Sequence, residues 1–192
     1  LCDMCFMTKC PYVPPHEFDL DFPHLMLRYR AMEFDQGKIA YTAKQITKTD
    51  RNGSLASPFA SLVNWSTRRQ NKITRSTIEK VAKIHRDAEL PRFTSTPLTK
   101  RAPLKPVSEP KRKVVLYATC FGNYNNPSIG DAMRAVLAKN NVEVELVYPA
   151  CCGMPQLEQG DLKGVAESAK NVASELVNWI KKGYEIVALI PS

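Results

Sequence analysis

The stretch VVLYATC, residues 114–120, decides the fold because it is a mostly apolar run that ends in a cysteine. A run of this length, with β-branched and aromatic residues, is typical of a strand buried on both faces. Further strands and amphipathic helices alternate after it, with a predicted helix at 128–140, strand at 142–148, helix at 162–182 and strand at 184–190. This β-α-β-α-β order predicts a parallel sheet with right-handed crossovers.

The first half of the chain has a different, helical pattern. Apolar residues at helical spacing predict a helix at 22–35, while DRNGS at 50–54 predicts a turn. A short helix is expected to start at Ser57, and the stretch from Ser76 to Glu79 resembles a capping box that would open another. The predicted fold class is therefore α+β overall, with a helical part followed by an α/β domain.

Residues 91–113 contain five prolines and little apolar periodicity, which predicts a semi-extended linker. The expected domains are therefore residues 1–90 and 114–192, joined by this linker. The net charge is +8, and residues 66–113 hold 14 Lys and Arg against 4 Asp and Glu. This basic stretch lacks the interleaved aromatic residues of a single-strand binder, so we do not expect nucleic acid as a partner.

Three cysteines lie where predicted strands end. Cys120 closes the first strand, and Cys151 and Cys152 follow the second. The carboxyl ends of parallel strands meet at one edge of a sheet, so these thiols are expected to converge there. By the same logic we expect a further ligand just after the third strand, at about position 193. Because the sequence ends at Ser192, we expect it to be a fragment that lacks this ligand.

The six cysteines could be thiolate ligands or three disulfides. They form two tight groups separated by 109 residues without cysteine, and this clustering favours ligands. Iron–sulfur clusters and zinc both use thiolates, so zinc is an alternative, and the vicinal pair could instead serve a thiol–disulfide reductase. The candidate ligands are Cys2, Cys5, Cys10, Cys120, Cys151 and Cys152.

The C-terminal cysteine spacing resembles a known family. Cys120, then 30 residues, then Cys151-Cys152-Gly153 is similar to the cysteine-rich CCG domain. That domain occurs in subunits of heterodisulfide reductases, of anaerobic glycerol-3-phosphate dehydrogenases and of glycolate oxidases. The resemblance implies that these three cysteines bind an iron–sulfur cluster, expected to be of the 4Fe–4S type.

The N-terminal cysteines resemble part of a second module. Three cysteines followed by a proline are similar to the end of the two-cluster ferredoxin module that precedes CCG domains, namely Cys2, Cys5 and Cys10. The match is partial because Thr8 stands where that module has its third cysteine. Three thiols leave a four-ligand site incomplete, so an upstream segment, His16 or His24 would have to supply the fourth ligand.

The resemblance implies an electron-transfer subunit of an oxidoreductase complex rather than a stand-alone catalyst. The expected partners are a flavoprotein dehydrogenase subunit as electron donor and a quinone, a thiol or a membrane-associated acceptor. No apolar run reaches the roughly 20 residues that a membrane-spanning helix needs. We therefore expect a cytoplasmic protein, which could dock on the cytoplasmic face of the inner membrane.

Overall fold

The computed structural model describes residues 4–103 and 107–189, and Cys2 and Ile190 lie outside the described residues. The N-terminal part is helical, with α1 (Met4–Met7), α2 (Phe22–Asp35), α3 (Tyr41–Ile46), α4 (Thr49–Ala56), α5 (Ala60–Thr67) and α6 (Lys72–Ala82). A short 3-10 turn at Leu98–Lys100 follows. The rest is β1 (Arg112–Tyr117), α7 (Cys120–Tyr124), α8 (Pro127–Lys139), β2 (Val142–Val147), α9 (Met154–Glu158), α10 (Leu162–Lys181) and β3 (Glu185–Ala188).

The three strands form one parallel sheet in the order β2-β1-β3, which confirms the predicted α+β class. Leu116 in the central strand β1 lies opposite Leu146 on one side and Val187 on the other. The side chains of β1 from Val114 to Tyr117 are buried, as expected for a strand that is covered on both faces.

The core of this domain is built on β1. Leu116, Ala118 and Leu189 are buried together with Leu98, and Ile129 and Met133 of α8 pack against them. Burial of these apolar side chains makes the main contribution to the stability of the packing between sheet and helices. Of the helix predicted at 128–140, Ile129 and Met133 therefore face the core, whereas Val136 is exposed.

Residues 91–103, predicted to be part of a linker, pack on the domain that follows. The Leu98 side chain is fully buried in the core, and the backbone N–H of Thr99 donates to the buried Asn123 at 3.0 Å. Thr94 donates to the carbonyl of Tyr124 at 2.8 Å. The proline-rich segment is extended, but it is a structural part of the domain.

Three predicted boundaries in the N-terminal part were wrong. The short helix expected to start at Ser57 is α5 and begins at Ala60, because Ser57 is the residue that ends α4. Residues 50–54 are not a turn but the middle of α4, because the glycine and polar residues there are accommodated inside a packed helix. The helix expected to open at Ser76 starts earlier, at Lys72, because the side chain of Asn71 caps it by accepting from Thr74 N–H at 3.4 Å.

The helix predicted at 22–35 is confirmed as α2, but its apolar side chains are largely exposed. The C-terminal half of the helix contacts the end of α9, where Arg30 donates to the carbonyl of Glu158 at 2.9 Å. Gly160 approaches the backbone of Arg30 so closely that a Cβ atom there would lie 2.4 Å from the Arg30 oxygen. Only a glycine fits this contact.

Replacement of Leu98 tests whether the proline-rich segment belongs to the core. We expect Leu98→Ala to lower the free energy of unfolding by about 3 kcal/mol, because it removes a fully buried side chain and leaves a cavity. Denaturant titration measures the change. Leu62→Ala, at an exposed position of α5, is the matched control and should change stability by less than about 0.5 kcal/mol. Equal effects of the two variants would contradict the packing.

Candidate metal centre

Cys120 and Cys151 come together at the carboxyl edge of the sheet. Their sulfur atoms lie 3.7 Å apart, although 31 positions separate them in the sequence. Two thiolates bound to one tetrahedral metal ion, with metal–sulfur bonds of about 2.3 Å, are separated by about 3.8 Å. The pair therefore has the spacing of two ligands on the same metal ion, as zinc or one iron of a cluster requires.

Local structure differs from the prediction at Cys120. The strand ends at Tyr117, so Cys120 does not close it but is the first residue of α7. Thr119 ends the extended segment because its side chain caps α7 and accepts from Gly122 N–H at 3.2 Å. The backbone turn at Thr119 places the thiol over the sheet edge.

The second cysteine loop is fixed from both sides. Gly153 follows the cysteine pair with φ of +92°, a conformation that favours glycine, and α9 begins directly after it. On the other side, the hydroxyl of Tyr117 donates to the carbonyl of Ala150 at 2.7 Å. Cys151 is buried as a result, whereas Cys152 is partly exposed.

The pKa values of Cys120 and Cys151 are shifted in opposite directions. The pKa of Cys151 is lowered to about 6, chiefly because the contact with the Cys120 thiol favours its thiolate. The backbone N–H of Gly153 adds to this effect, which outweighs burial. The same sulfur contact and burial raise the pKa of Cys120. The pair thus favours a state with one thiolate and one thiol, and a bound cation would favour the loss of both protons.

Asp50, in the first turn of α4, also reaches this site. One carboxylate oxygen accepts the backbone N–H of Cys151 at 2.8 Å, and the other accepts the hydroxyl of Tyr148. Burial raises the pKa of Tyr148, and the bond to Asp50 raises it further. Sequence reasoning missed Asp50 because it lies in a stretch predicted to be a turn and 101 positions from its partner.

Aromatic rings pack α4 against the cysteine loops. The ring of Tyr148 stacks on that of Tyr117 and meets the edge of Tyr124, with centroids 6.3 and 5.7 Å apart. Gly53 faces the ring of Tyr124, since a Cβ atom at that glycine would lie 2.4 Å from ring carbons. The absence of a side chain at Gly53 therefore allows α4 to lie close to α7.

The other predicted ligands are not part of this pair. The backbone N–H of Cys10 donates to the carbonyl of Cys5 at 2.9 Å, and both are unpaired thiols. His16 packs against aromatic rings, and His24 bonds to Asp21. Among the described residues, no three His, Cys, Asp or Glu side chains are grouped as in a metal site.

A cavity of about 410 Å³ adjoins the thiol pair. Cys120 forms part of its wall, and Asn52 and Thr67 are among its few polar residues. No charged side chain of the described residues lines it. The rest of the wall is mainly apolar, with Ile46, Leu90, Pro91, Phe93, Phe121, Tyr124 and Pro155.

Comparison with known proteins identifies the class of this domain. Residues 114–190 match the family described as the CCG cysteine-rich domain. The resemblance inferred from the spacing of Cys120 and the Cys-Cys-Gly motif is confirmed. No solved structure matches the chain.

The particular proteins that the chain resembles are longer. It is 28% identical over 174 residues to the C subunit of anaerobic glycerol-3-phosphate dehydrogenase from Escherichia coli strain K12, and equally to that from Escherichia coli O157:H7. The match covers 88% of this chain and 43% of each relative, so the chain spans less than half of their length. In the described ranges, none of the helices is long and apolar enough to cross a membrane.

Substitution of Gly53 tests the contact between α4 and the site. Alanine normally stabilises a helix relative to glycine by about 1 kcal/mol. We expect Gly53→Ala to have the opposite sign and to lower the free energy of unfolding by roughly 1–2 kcal/mol, because its methyl group overlaps the Tyr124 ring. Ser54→Ala, at the next and exposed position, serves as control in the same denaturant titration. A stabilising Gly53→Ala would contradict the contact.

Proposed function

We propose that this chain is the iron–sulfur part of an electron-transfer subunit, with Cys120, Cys151 and Cys152 as ligands of a cluster of the 4Fe–4S type. The observation that carries the proposal is the thiol pair of Cys120 and Cys151, 3.7 Å apart at the carboxyl edge of a CCG domain. Thiolates are the ligands of iron–sulfur clusters, and the structure brings two of them to one place. Each iron of a 4Fe–4S cluster takes one thiolate, so binding of the cluster would move these two sulfurs apart. When bound, the cluster supplies a group that can accept and release single electrons.

The protein's own contribution is to hold the thiolates in a fixed and shielded place. Cys151 is buried, and the backbone N–H groups of Phe121 and Gly153 favour the thiolate forms of Cys120 and Cys151, respectively, because they lower the pKa of each thiol. Hydrogen bonds to the ligand sulfurs and burial are two of the factors that set the reduction potential of such a centre. We propose that Cys2, Cys5 and Cys10 serve a separate centre of the ferredoxin type.

Two other functions use the same thiols. A structural zinc site would also accept two thiolates at this spacing. A thiol–disulfide reductase would use Cys151, whose lowered pKa increases the thiolate fraction near neutral pH. The match to an oxidoreductase subunit over 88% of the chain favours electron transfer over both.

Metal analysis of cysteine variants separates these functions. After anaerobic reconstitution with iron and sulfide, we expect the wild-type chain to bind iron and to absorb visible light. Cys120→Ser and Cys151→Ser should each lose most of the iron of the C-terminal centre, because each removes one ligand of the pair. Cys5→Ser is the matched control, since it changes only the N-terminal group.

The metal found in the purified protein distinguishes the three functions. Zinc without iron in a protein produced with ample iron would overturn the electron-transfer proposal in favour of a structural site. A metal-free chain with reductase activity that Cys151→Ser abolishes would favour the thiol–disulfide reductase. Unchanged iron in Cys120→Ser would show that the thiol pair is not a ligand pair.

We further propose that the electron donor is a flavoprotein dehydrogenase subunit, since the relatives are named as subunits of a dehydrogenase. The location proposed for the complex is the cytoplasm, with docking on the cytoplasmic face of the inner membrane. The uncharged, largely apolar cavity beside Cys120 supports a quinone rather than a charged thiol as the electron acceptor. An uncharged ring would bury its apolar surface there without leaving an unpaired charge.

Filling the cavity tests the proposed acceptor. We expect Leu90→Trp to weaken the binding of a short-tailed benzoquinone at least roughly tenfold, because the larger side chain occupies space that the ring needs. The quinone must be substituted at every ring carbon so that free thiols cannot add to it. Calorimetric titration of the metal-free chain measures binding independently of the cluster.

Leu62→Trp, on the exposed surface of α5, is the control for the added indole ring and should bind the quinone like the wild-type chain. Equal quinone affinity of the Leu90→Trp and Leu62→Trp variants would contradict the proposal that this cavity binds a quinone. The absence of quinone binding by all three proteins would contradict it too. The metal analysis of the cysteine variants would be unaffected by either result.

A further inference from the structure

Helix α4 belongs to the N-terminal half of the chain, yet its first turn lies at the thiol pair of the C-terminal domain. Both oxygens of the Asp50 carboxylate are engaged there, one by the N–H of Cys151 at 2.8 Å and the other by the hydroxyl of Tyr148. These two donors come from the same loop after β2, on either side of Pro149 and Ala150. The carboxylate therefore links Tyr148, at the start of the loop, with Cys151, the proposed metal ligand.

The carboxylate is held in place independently of these bonds. Gly53, three positions further along α4, contacts the ring of Tyr124 in α7, the helix that begins with Cys120. The same tyrosine ring meets the edge of Tyr148. One helix thus contacts both loops that supply the thiols, and it fixes one loop relative to the other.

Asp50 is also a charge without a cationic partner at the site. Its bonds are to a backbone N–H and a hydroxyl, and no ion pair among the described residues includes it. A neighbouring negative charge that no cation compensates disfavours the addition of an electron to a metal centre. Asp50 would therefore lower the reduction potential of a centre bound at Cys151.

We propose that Asp50 is a positioning residue that holds the backbone of Cys151 so that its thiol faces Cys120, and that its charge lowers the reduction potential of the metal centre. The positioning role concerns the metal-free chain, whereas the effect on potential rests on the proposed function. The two parts can therefore fail separately. Asp50 acts through the N–H group of Cys151 and is not a metal ligand in this proposal.

Hydrogen exchange of the metal-free full-length chain tests the positioning. We expect Asp50→Ala to increase the exchange rate of the Cys151 amide on the order of tenfold, because the amide loses a charged acceptor. Alkylation of the buried Cys151 should become faster in this variant, with Cys5 and Cys10 as internal standards whose rates stay unchanged. A peptide covering residues 148–153 reports the exchange by mass spectrometry.

Two further variants separate charge from structure. Asp50→Asn keeps an acceptor for Cys151 but removes the charge, so it should retain most of the amide protection while raising the midpoint potential of the reconstituted centre. Asp131→Asn is the matched control, because Asp131 also bridges two segments, through Arg101 and Arg134, away from the thiols. It should change neither measurement at Cys151.

Each outcome decides one part of the proposal. Exchange at Cys151 that is equal in Asp50→Ala and Asp131→Asn, or alkylation that becomes faster equally at Cys5, Cys10 and Cys151, would overturn the positioning role. An unchanged potential in Asp50→Asn would overturn the role of the charge. If no iron centre forms in the wild-type chain, the proposed function fails, and the exchange data still test the positioning.

Discussion

The parallel pairing of β1 with β2 is the constraint on which the site depends. The register from Arg112 opposite Val142 to Tyr117 opposite Val147 brings the two following loops to one edge of the sheet. Four consecutive side chains of β1 are buried, so packing on both faces of the strand holds this pairing together with the hydrogen bonds. The thiols meet because the strands beneath them are aligned.

Much of the α/β domain could be predicted from the sequence, because periodicity, strand length and helix stops are local properties. The order of elements, the parallel sheet and the pairing of Cys120 with the loop of Cys151 all follow from this local pattern. The start of α7 at Cys120 was harder to predict, since it depends on a side-chain cap by Thr119. The ligand assignment itself stays a prediction, and the described part of Cys2 to Cys10 adds no metal geometry to it.

What could not be predicted arises from contacts between distant segments. Asp50 and Gly53 lie in a stretch whose composition is typical of a turn. The stretch is nevertheless helical in α4, where Gly53 packs against Tyr124. Leu98 lies among prolines, with no periodicity to show that it fills the core. Tertiary contacts override local preference at both places.

The distance along the chain between Asp50 and Cys151 has a consequence for biosynthesis. During translation, the first half leaves the ribosome well before the loop that it supports, so α4 must wait for a partner synthesised about a hundred residues later. Closing such a large loop is entropically costly and makes this contact a late event in folding. Iron delivery to the thiol pair would then follow the completion of folding. In a nascent chain, Cys120 would be exposed before Cys151 is in place beside it.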